Sequence, residues 1–168
     1  MSTLEIRPFA DVDWPEVWEI VRQVIVAADT FVYDPSTTED QARSMWIESA
    51  PGRTVVAVSA ASGGSQVLGT AKMGPNKPGP GAHIATASFM VAAAARGRGV
   101  GTALCRNAVS WAREQGYAGV QFNAVAETNR SAVDLYVREG FQVIGTVPRA
   151  FEHPVHGRVG LHVMYLEF

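Results

Sequence analysis

The segment from Phe89 to Leu104 constrains this chain more than any other. The apolar run Phe89-Met90-Val91 passes through Ala92–Ala95 into the loop Arg96-Gly97-Arg98-Gly99-Val100-Gly101. Thr102, Ala103 and Leu104 then open an amphipathic helix. His83 to Val91 is nearly all small or apolar, as a central strand covered on both faces requires. A strand, a tight loop and a helix in succession define an α/β unit built on a sheet. The first turn of the helix carries unpaired N–H groups and partial positive charge, which makes its N-terminus an anion site. Glycine at 97, 99 and 101 lets the backbone approach a bulky anion such as a pyrophosphate.

Other glycine-loop readings fit less well. A dinucleotide fingerprint started at Gly97 needs glycine where Thr102 stands, and started at Gly99 it needs glycine where Leu104 stands. A phosphate-binding Gly-Lys-Ser/Thr tripeptide does not occur in the chain. An ordinary strand-to-helix turn that uses glycine for tightness remains the plain alternative.

Around this unit the pattern is that of one domain spanning 1–168, with no repeats, low-complexity tract or linker. Leu4 to Arg7 reads as a strand ended by Pro8, followed by a helix capped by Asp13 or Asp11 with Pro15 in its first turn. Val17, Trp18, Val21, Val24, Ile25 and Ala28 form its apolar face. A second helix is expected over Ser36–Glu48, capped by Thr37 or Thr38. Strands over Thr54–Ala60 and Gln66–Lys72 flank a hairpin turn at Ser62-Gly63-Gly64-Ser65, and Met73 to Gly81 reads as loop. Leu104, Ala108, Trp111 and Ala112 mark the buried face of the helix that Gly116 ends. Val120 to Val125 is the next strand, and two last strands are expected over Phe141–Thr146 and Gly160–Leu166 with a loop between them.

Charge and cysteine content narrow the class. A net charge of −2 argues against bulk nucleic-acid binding. The single cysteine, Cys105, excludes an internal disulfide framework, fits a reducing cytoplasm and reads as a small buried thiol. The first eight residues have no apolar core, so no signal peptide is expected. No apolar run approaches the roughly 20 residues of a membrane span. The histidines lack supporting ligands at metal spacing, so no metal is expected.

A second constellation follows at Asn129-Arg130-Ser131-Ala132-Val133-Asp134-Leu135-Tyr136-Val137-Arg138-Glu139-Gly140-Phe141. Asn129 suits an N-cap and Gly140 a helix end, while Ala132, Leu135 and Tyr136 share one face. Together with Arg96-x-x-Gly99-x-Gly101, this pattern resembles the two signatures of the GCN5-related N-acetyltransferase (GNAT) superfamily. The resemblance implies a mixed α/β fold: a central sheet of six to seven strands, splayed between the fourth and fifth, flanked by about four helices. It implies acetyl-CoA as cosubstrate, lying between the strand ending at Val91 and the strand around Gln121–Val125. The pyrophosphate would meet N–H groups of Gly97, Gly99, Val100, Gly101 and Thr102, aided by Arg96 or Arg98. The pantetheine would run beside Phe89, Met90 and Val91, exchanging backbone hydrogen bonds. Asn129 would reach it or serve as a helix cap. An N–H near Val91 would polarise the thioester, and Tyr136 would be the general acid, its ordinary pKa of about 10 lying above a thiol's roughly 8.5. Glu127, His83, Asp34 or a water chain would serve as base.

For the acceptor, Gln121 and Asn123 alternate on one strand face and suit hydrogen bonding to a small polar amine, or pairing with neighbouring backbone. Phe31 and Tyr33 suit an aromatic lid, or exposed packing. Gln121 to Asn129 is also similar to a segment of fungal azetidine-2-carboxylate N-acetyltransferases, whose paired asparagines Asn123 and Asn129 reproduce. Thr86 stands where that group carries an asparagine, and its shorter side chain lacks the amide's paired donor and acceptor. The leading expectation is acetyl transfer to a small-molecule amine, an amino acid or analogue, with no nucleic-acid or membrane partner. A protein or peptide N-acetyltransferase and a non-catalytic acetyl-CoA sensor are the alternatives. The family also implies a homodimer as one assembly.

Overall fold

The computed structural model describes residues 4–61 and 64–168. In chain order these form β1 (Leu4–Pro8), α1 (Trp14–Ala27), α2 (Glu39–Trp46), β2 (Arg53–Ala61) and β3 (Gly64–Pro75). There follow β4 (Ile84–Val91), α3 (Val100–Glu114), β5 (Gly119–Ala126), α4 (Arg130–Arg138), β6 (Gln142–His153) and β7 (Gly157–Glu167). The seven strands make one sheet in the order β1-β2-β3-β4-β5-β7-β6. All neighbours are antiparallel except β4 and β5, which run parallel. The expected mixed α/β sheet with four helices is therefore present.

Two apolar layers cover the sheet. Under α1 and α2, Val17, Val21 and Trp46 pack on Val56, Val58 and Met90. On the other face, Leu104, Ala108 and Trp111 of α3 pack with Ala71, Phe122, Phe141 and Met164. Gly69 permits the second contact: a Cβ there would lie 2.9 Å from Val100 Cγ1 and 3.1 Å from Leu104 Cδ1. Alternation along β4 decides which residue meets which layer, because successive side chains point to opposite faces. Phe89 and Val91 join the α3 layer, and Met90 joins the α1/α2 layer.

The structure corrects several local expectations. Asp13 occupies the N-cap position of α1, but its carboxylate does not cap the helix. It accepts two 2.7 Å hydrogen bonds from the Arg7 guanidinium and one from Ala10 N. Helix α2 begins at Glu39, not Ser36, because Asp34 holds Ser36 in a turn (Ser36 N to Oδ1, 2.8 Å). Thr38 and Gln41 then form a reciprocal capping box. Strand β3 continues to Pro75, where Gly74 and Pro75 pair with Thr86 and Ala85. Proline is tolerated there because β2 ends opposite Met73, so Pro75 borders β4 alone. The strands on either side of Ser62 and Gly63 are antiparallel neighbours, while those two residues lie outside the described ones.

The expected loop between the last two strands is instead the far half of a long hairpin. Strand β6 reaches His153 and β7 starts at Gly157. The register shifts between Val147 and Phe151, where Arg149 takes a left-handed φ of 57°. Such a bulge breaks the two-residue alternation by which a strand is recognised, and an edge strand accommodates Pro148.

One feature of β4 departs from a central strand buried on both faces. It pairs with β5 only at Ile84–Gly119 and Ala85–Val120. From Thr86 onward the two strands separate, and most of β4 is only partly buried. This is the splay between the fourth and fifth strands.

Candidate active site

The splay opens a cleft of about 780 Å³ that runs from the start of α3, past α4, to the segment joining α1 and α2. Its first part is built by the loop after β4. Gly97 (φ 73°) and Gly99 (φ 81°) are left-handed, a conformation that favours glycine. Apart from the adjoining residues of the chain, no described atom lies within 4 Å of a Cβ placed on either. Gly99 is the N-cap of α3, and no side chain caps the helix. The first intrahelical bond runs from Ala103 N to Gly99 O, so the N–H groups of Val100, Gly101 and Thr102 have no partner in the helix. Arg96, Gly97, Gly99, Val100, Gly101 and Thr102 line the cleft, whereas Arg98 does not.

The middle of the cleft is aromatic and largely apolar. Tyr136 of α4 lies between the splayed strands, with ring centroids 4.5 Å from Phe122 and 6.1 Å from Phe89. Among the described residues no protein group hydrogen-bonds its hydroxyl, and burial raises the phenol well above its ordinary pKa. Asn129 lines the cleft and also caps α4, accepting from Ala132 N at 3.4 Å and Ser131 Oγ at 3.2 Å. Thr128 lines it too, and its buried hydroxyl has no partner among the described residues. Cys105, fully buried in α3, has its thiol pushed up to about 12 by desolvation, which suits a core residue and not a nucleophile.

The last part is polar. Because Phe122 faces the α3 layer, Gln121 and Asn123 face the other side of β5, as Thr86 and Ser88 do on β4. Gln121 Nε2 donates to Asn123 Oδ1 at 2.9 Å, and Asn123 Nδ2 donates to Asn76 Oδ1 at 2.7 Å. Thr86 and Asn123 line the cleft, while Gln121 supports Asn123 from outside it. Phe31 and Tyr33 form the facing wall, stacked at 5.6 Å, with Phe31 edge-on to Trp46 at 6.3 Å. Burial, reinforced by the Glu48 charge, raises the Tyr33 phenol.

None of the bases named from sequence lines the cleft. Glu127 accepts from Gly160 N at 2.6 Å, Asp34 accepts from Ser36, and His83 Nδ1 lies 3.0 Å from Pro80 O. Sequence reasoning missed Asp29 and His153, both in the lining. His153 Nδ1 accepts from Val155 N and His156 N, so in the neutral ring Nε2 carries the proton. It also missed Asn76, whose only signal was an amide inside a proline-glycine loop. Among the described residues no three His, Cys, Asp or Glu side chains come together as a metal site. No described helix is long and apolar enough to cross a membrane.

The acetyltransferase (GNAT) family model matches residues 15–141, and the chain belongs to this family. A GCN5-related N-acetyltransferase from Kribbella flavida has the same fold, with a TM-score of 0.93, 54% identity and 98% of each chain covered. The yncA structure from Salmonella typhimurium, solved with acetyl-CoA as its cofactor, superposes with a TM-score of 0.80 at 21% identity, covering 99% of this chain and 94% of that one. Protein SPT10 of Saccharomyces cerevisiae is 32% identical over 85 residues, 51% of this chain and 13% of its own length. N-acetyltransferase aca1 of Schizosaccharomyces pombe is 29% identical over 103 residues, 61% of this chain and 46% of its own. The chain thus spans less than half of either of these two relatives.

Proposed function

We propose that this protein transfers the acetyl group of acetyl-CoA to the amine of a small molecule, an amino acid or close analogue, with Tyr136 as general acid. The observation that carries the reading is continuity: one cleft joins an uncapped helix N-terminus, a partly buried tyrosine and a polar sheet face across a splay. Acetyl-CoA, when bound, supplies an acetyl thioester. The open N–H groups of α3 and the Arg96 guanidinium suit its pyrophosphate. Beyond Ala85, β4 has no strand partner on its β5 side among the described residues, which leaves backbone groups there for the pantetheine amides. The unpartnered Thr128 hydroxyl adds a further polar contact.

In the transfer, a bond forms between the amine nitrogen and the acetyl carbon as the carbon–sulfur bond breaks. The amine loses one proton to water, and the sulfur gains one from Tyr136, which water then reprotonates. Between free groups, a proton passing from a phenol to a thiolate is uphill by about 1.5 pKa units. Burial raises the Tyr136 phenol further, and a thiolate leaving into the same apolar surroundings would be disfavoured for the same reason, which offsets that rise.

The test is thiol release and product mass across azetidine-2-carboxylate, hydroxyprolines, other amino acids, polyamines and short peptides. Tyr136→Phe is expected to lower turnover by about 10²–10⁴-fold, the usual worth of a general acid. Its melting temperature should hold, because the ring contacts remain. Undiminished turnover in Tyr136→Phe would remove the tyrosine from its role. Binding of acetyl-CoA with no amine acetylated would favour a sensor.

A further inference from the structure

The polar face of the splay does not end at Asn123. A second cavity, of about 380 Å³, adjoins the cleft, and Tyr33, Thr86, Ser88 and Asn123 line both. Among the described residues of its lining, Glu48 and Lys72 carry the only formal charges. Lys72 on β3 pairs directly with Ser88 on β4, so the charged end lies one strand from the junction. In a sheet, that places the two Cα atoms about 5 Å apart. The volume lies at the small end of ligand pockets, which run to about 300–1,000 Å³. The occupant is accordingly short: a few bonds separate the group at Thr86 and Asn123 from the group at Lys72.

The two charged residues are not held alike. Lys72 Nζ donates to Met45 O at 2.6 Å, lies 5.8 Å from the Trp46 ring centroid, and its side chain is only 22% exposed. Its distance to Glu48 Oε1 is 3.5 Å, a contact of charges without a well-formed hydrogen bond. The Glu48 side chain is 36% exposed, and among the described residues its carboxylate accepts no shorter hydrogen bond. An arriving carboxylate can take the Lys72 ammonium while Glu48 swings toward water. An arriving ammonium would have to take Glu48 beside a fixed lysine, at the cost of like-charge repulsion. The asymmetry selects an anion.

We infer that Lys72 binds the carboxylate of a small amino-acid acceptor seated in the second cavity, with its amine at the junction near Thr86 and Asn123. This specificity role rests on the acetyltransferase reading above, and it excludes polyamines and amides as preferred acceptors.

The experiment compares amino acids with their own carboxamides, for example proline with prolinamide and alanine with alaninamide, in wild type, Lys72→Met and Lys72→Arg. Steady-state thiol release gives kcat and KM. Calorimetry of the same ligands into the coenzyme A complex gives affinity without turnover. In Lys72→Met, KM and Kd for the acids are expected to rise about 10- to 100-fold, the worth of one hydrogen bond to a charged group. Values for the amides, and the affinity for acetyl-CoA, are expected to stay at wild-type levels. Lys72→Arg should restore part of the loss. Equal losses for acids and amides, a wild-type preference for amides, or no amino acid bound to the coenzyme A complex would each overturn the inference. Calorimetric binding of the acids, lost in Lys72→Met, would uphold the subsite even if no amine were acetylated, an outcome that counts only against the activity.

Discussion

Gly99 separates two physical effects that usually travel together. It holds φ 81° and ψ 1° at the start of α3, and a Cβ there would meet no described atom within 4 Å beyond its own chain neighbours. Gly99→Ala therefore clashes with nothing in the protein but strains its own backbone by about 1–2 kcal/mol. Reduced freedom of the unfolded chain returns about 0.4–1 kcal/mol of this, leaving a net loss near 1 kcal/mol. For a chain of this size, that lowers Tm by roughly 2–4 °C. The new methyl also stands among the open N–H groups of the α3 first turn. If those groups hold the pyrophosphate, one or two charge-assisted bonds are disturbed and acetyl-CoA affinity falls about 10- to 100-fold. Two further variants divide the effects. Gly116 has φ 79°, equally open surroundings and a place at the other end of α3, outside the cleft. Gly116→Ala should lose the same stability and no affinity. Gly99→Asn should recover stability, because asparagine tolerates the left-handed region, and still lose affinity. Thermal unfolding and acetyl-CoA calorimetry read the two quantities. An affinity loss no greater in Gly99→Ala than in Gly116→Ala would refute the placement of the anion at α3.

Two predictions concern the folded state. The Arg7 guanidinium, with help from Ala10 N–H, holds the buried Asp13 carboxyl below its ordinary range. A depressed folded pKa contributes stability that is present above the unfolded value, about 3.9, and is lost as pH falls below it. Asp13→Asn should cost about 1–2 kcal/mol at pH 7, discounted because Arg7 is one-third exposed, and the gap to wild type should narrow in melts below about pH 4. Cys105, buried and with its thiol near 12, should stay unmodified by an aromatic disulfide reagent at pH 8 and react only in denaturant. Rapid labelling of the native protein would contradict its burial.

What the sequence discloses depends on whether the signal is local. The α3 and α4 units are legible because each carries its own start, face and stop: Gly99 and Gly116 for one, Asn129 and Gly140 for the other. Tyr136 is legible because α4 places it one turn from Ala132, on the same face. The β6 arm is not, since the bulge at Pro148–Ala150 erases its alternation and its side chains are almost all exposed. The base candidates failed for a different reason. A carboxylate's neighbours are set by tertiary contacts, and Glu127 proves to be tied to Gly160 on the neighbouring strand β7. Asp29, Lys72 and His153 come to the site from three separate elements, with no spacing to announce them.

The splay also gives one strand two unlike faces that the proposed transfer would use. Were β4 paired with β5 along its length, Phe89 and Ser88 would face two closed layers with no route between them. Pairing stops at Ala85, so the gap connects the layer holding Phe89, Phe122 and Tyr136 with the face holding Thr86, Ser88 and Asn123. Alternation then sorts the reactants without further machinery: a thioester and its thiol leaving group suit the aromatic side, and a hydrated amine suits the polar side. On the proposed reading, transfer would take place at the boundary, where Tyr136 meets the gap. An apolar sulfur side would strengthen each hydrogen bond to developing charge, and a polar amine side would give the departing proton a route to water. A substitution that closed the gap would therefore abolish transfer even with both binding faces intact, whereas one that altered a single face would change the affinity for one reactant alone.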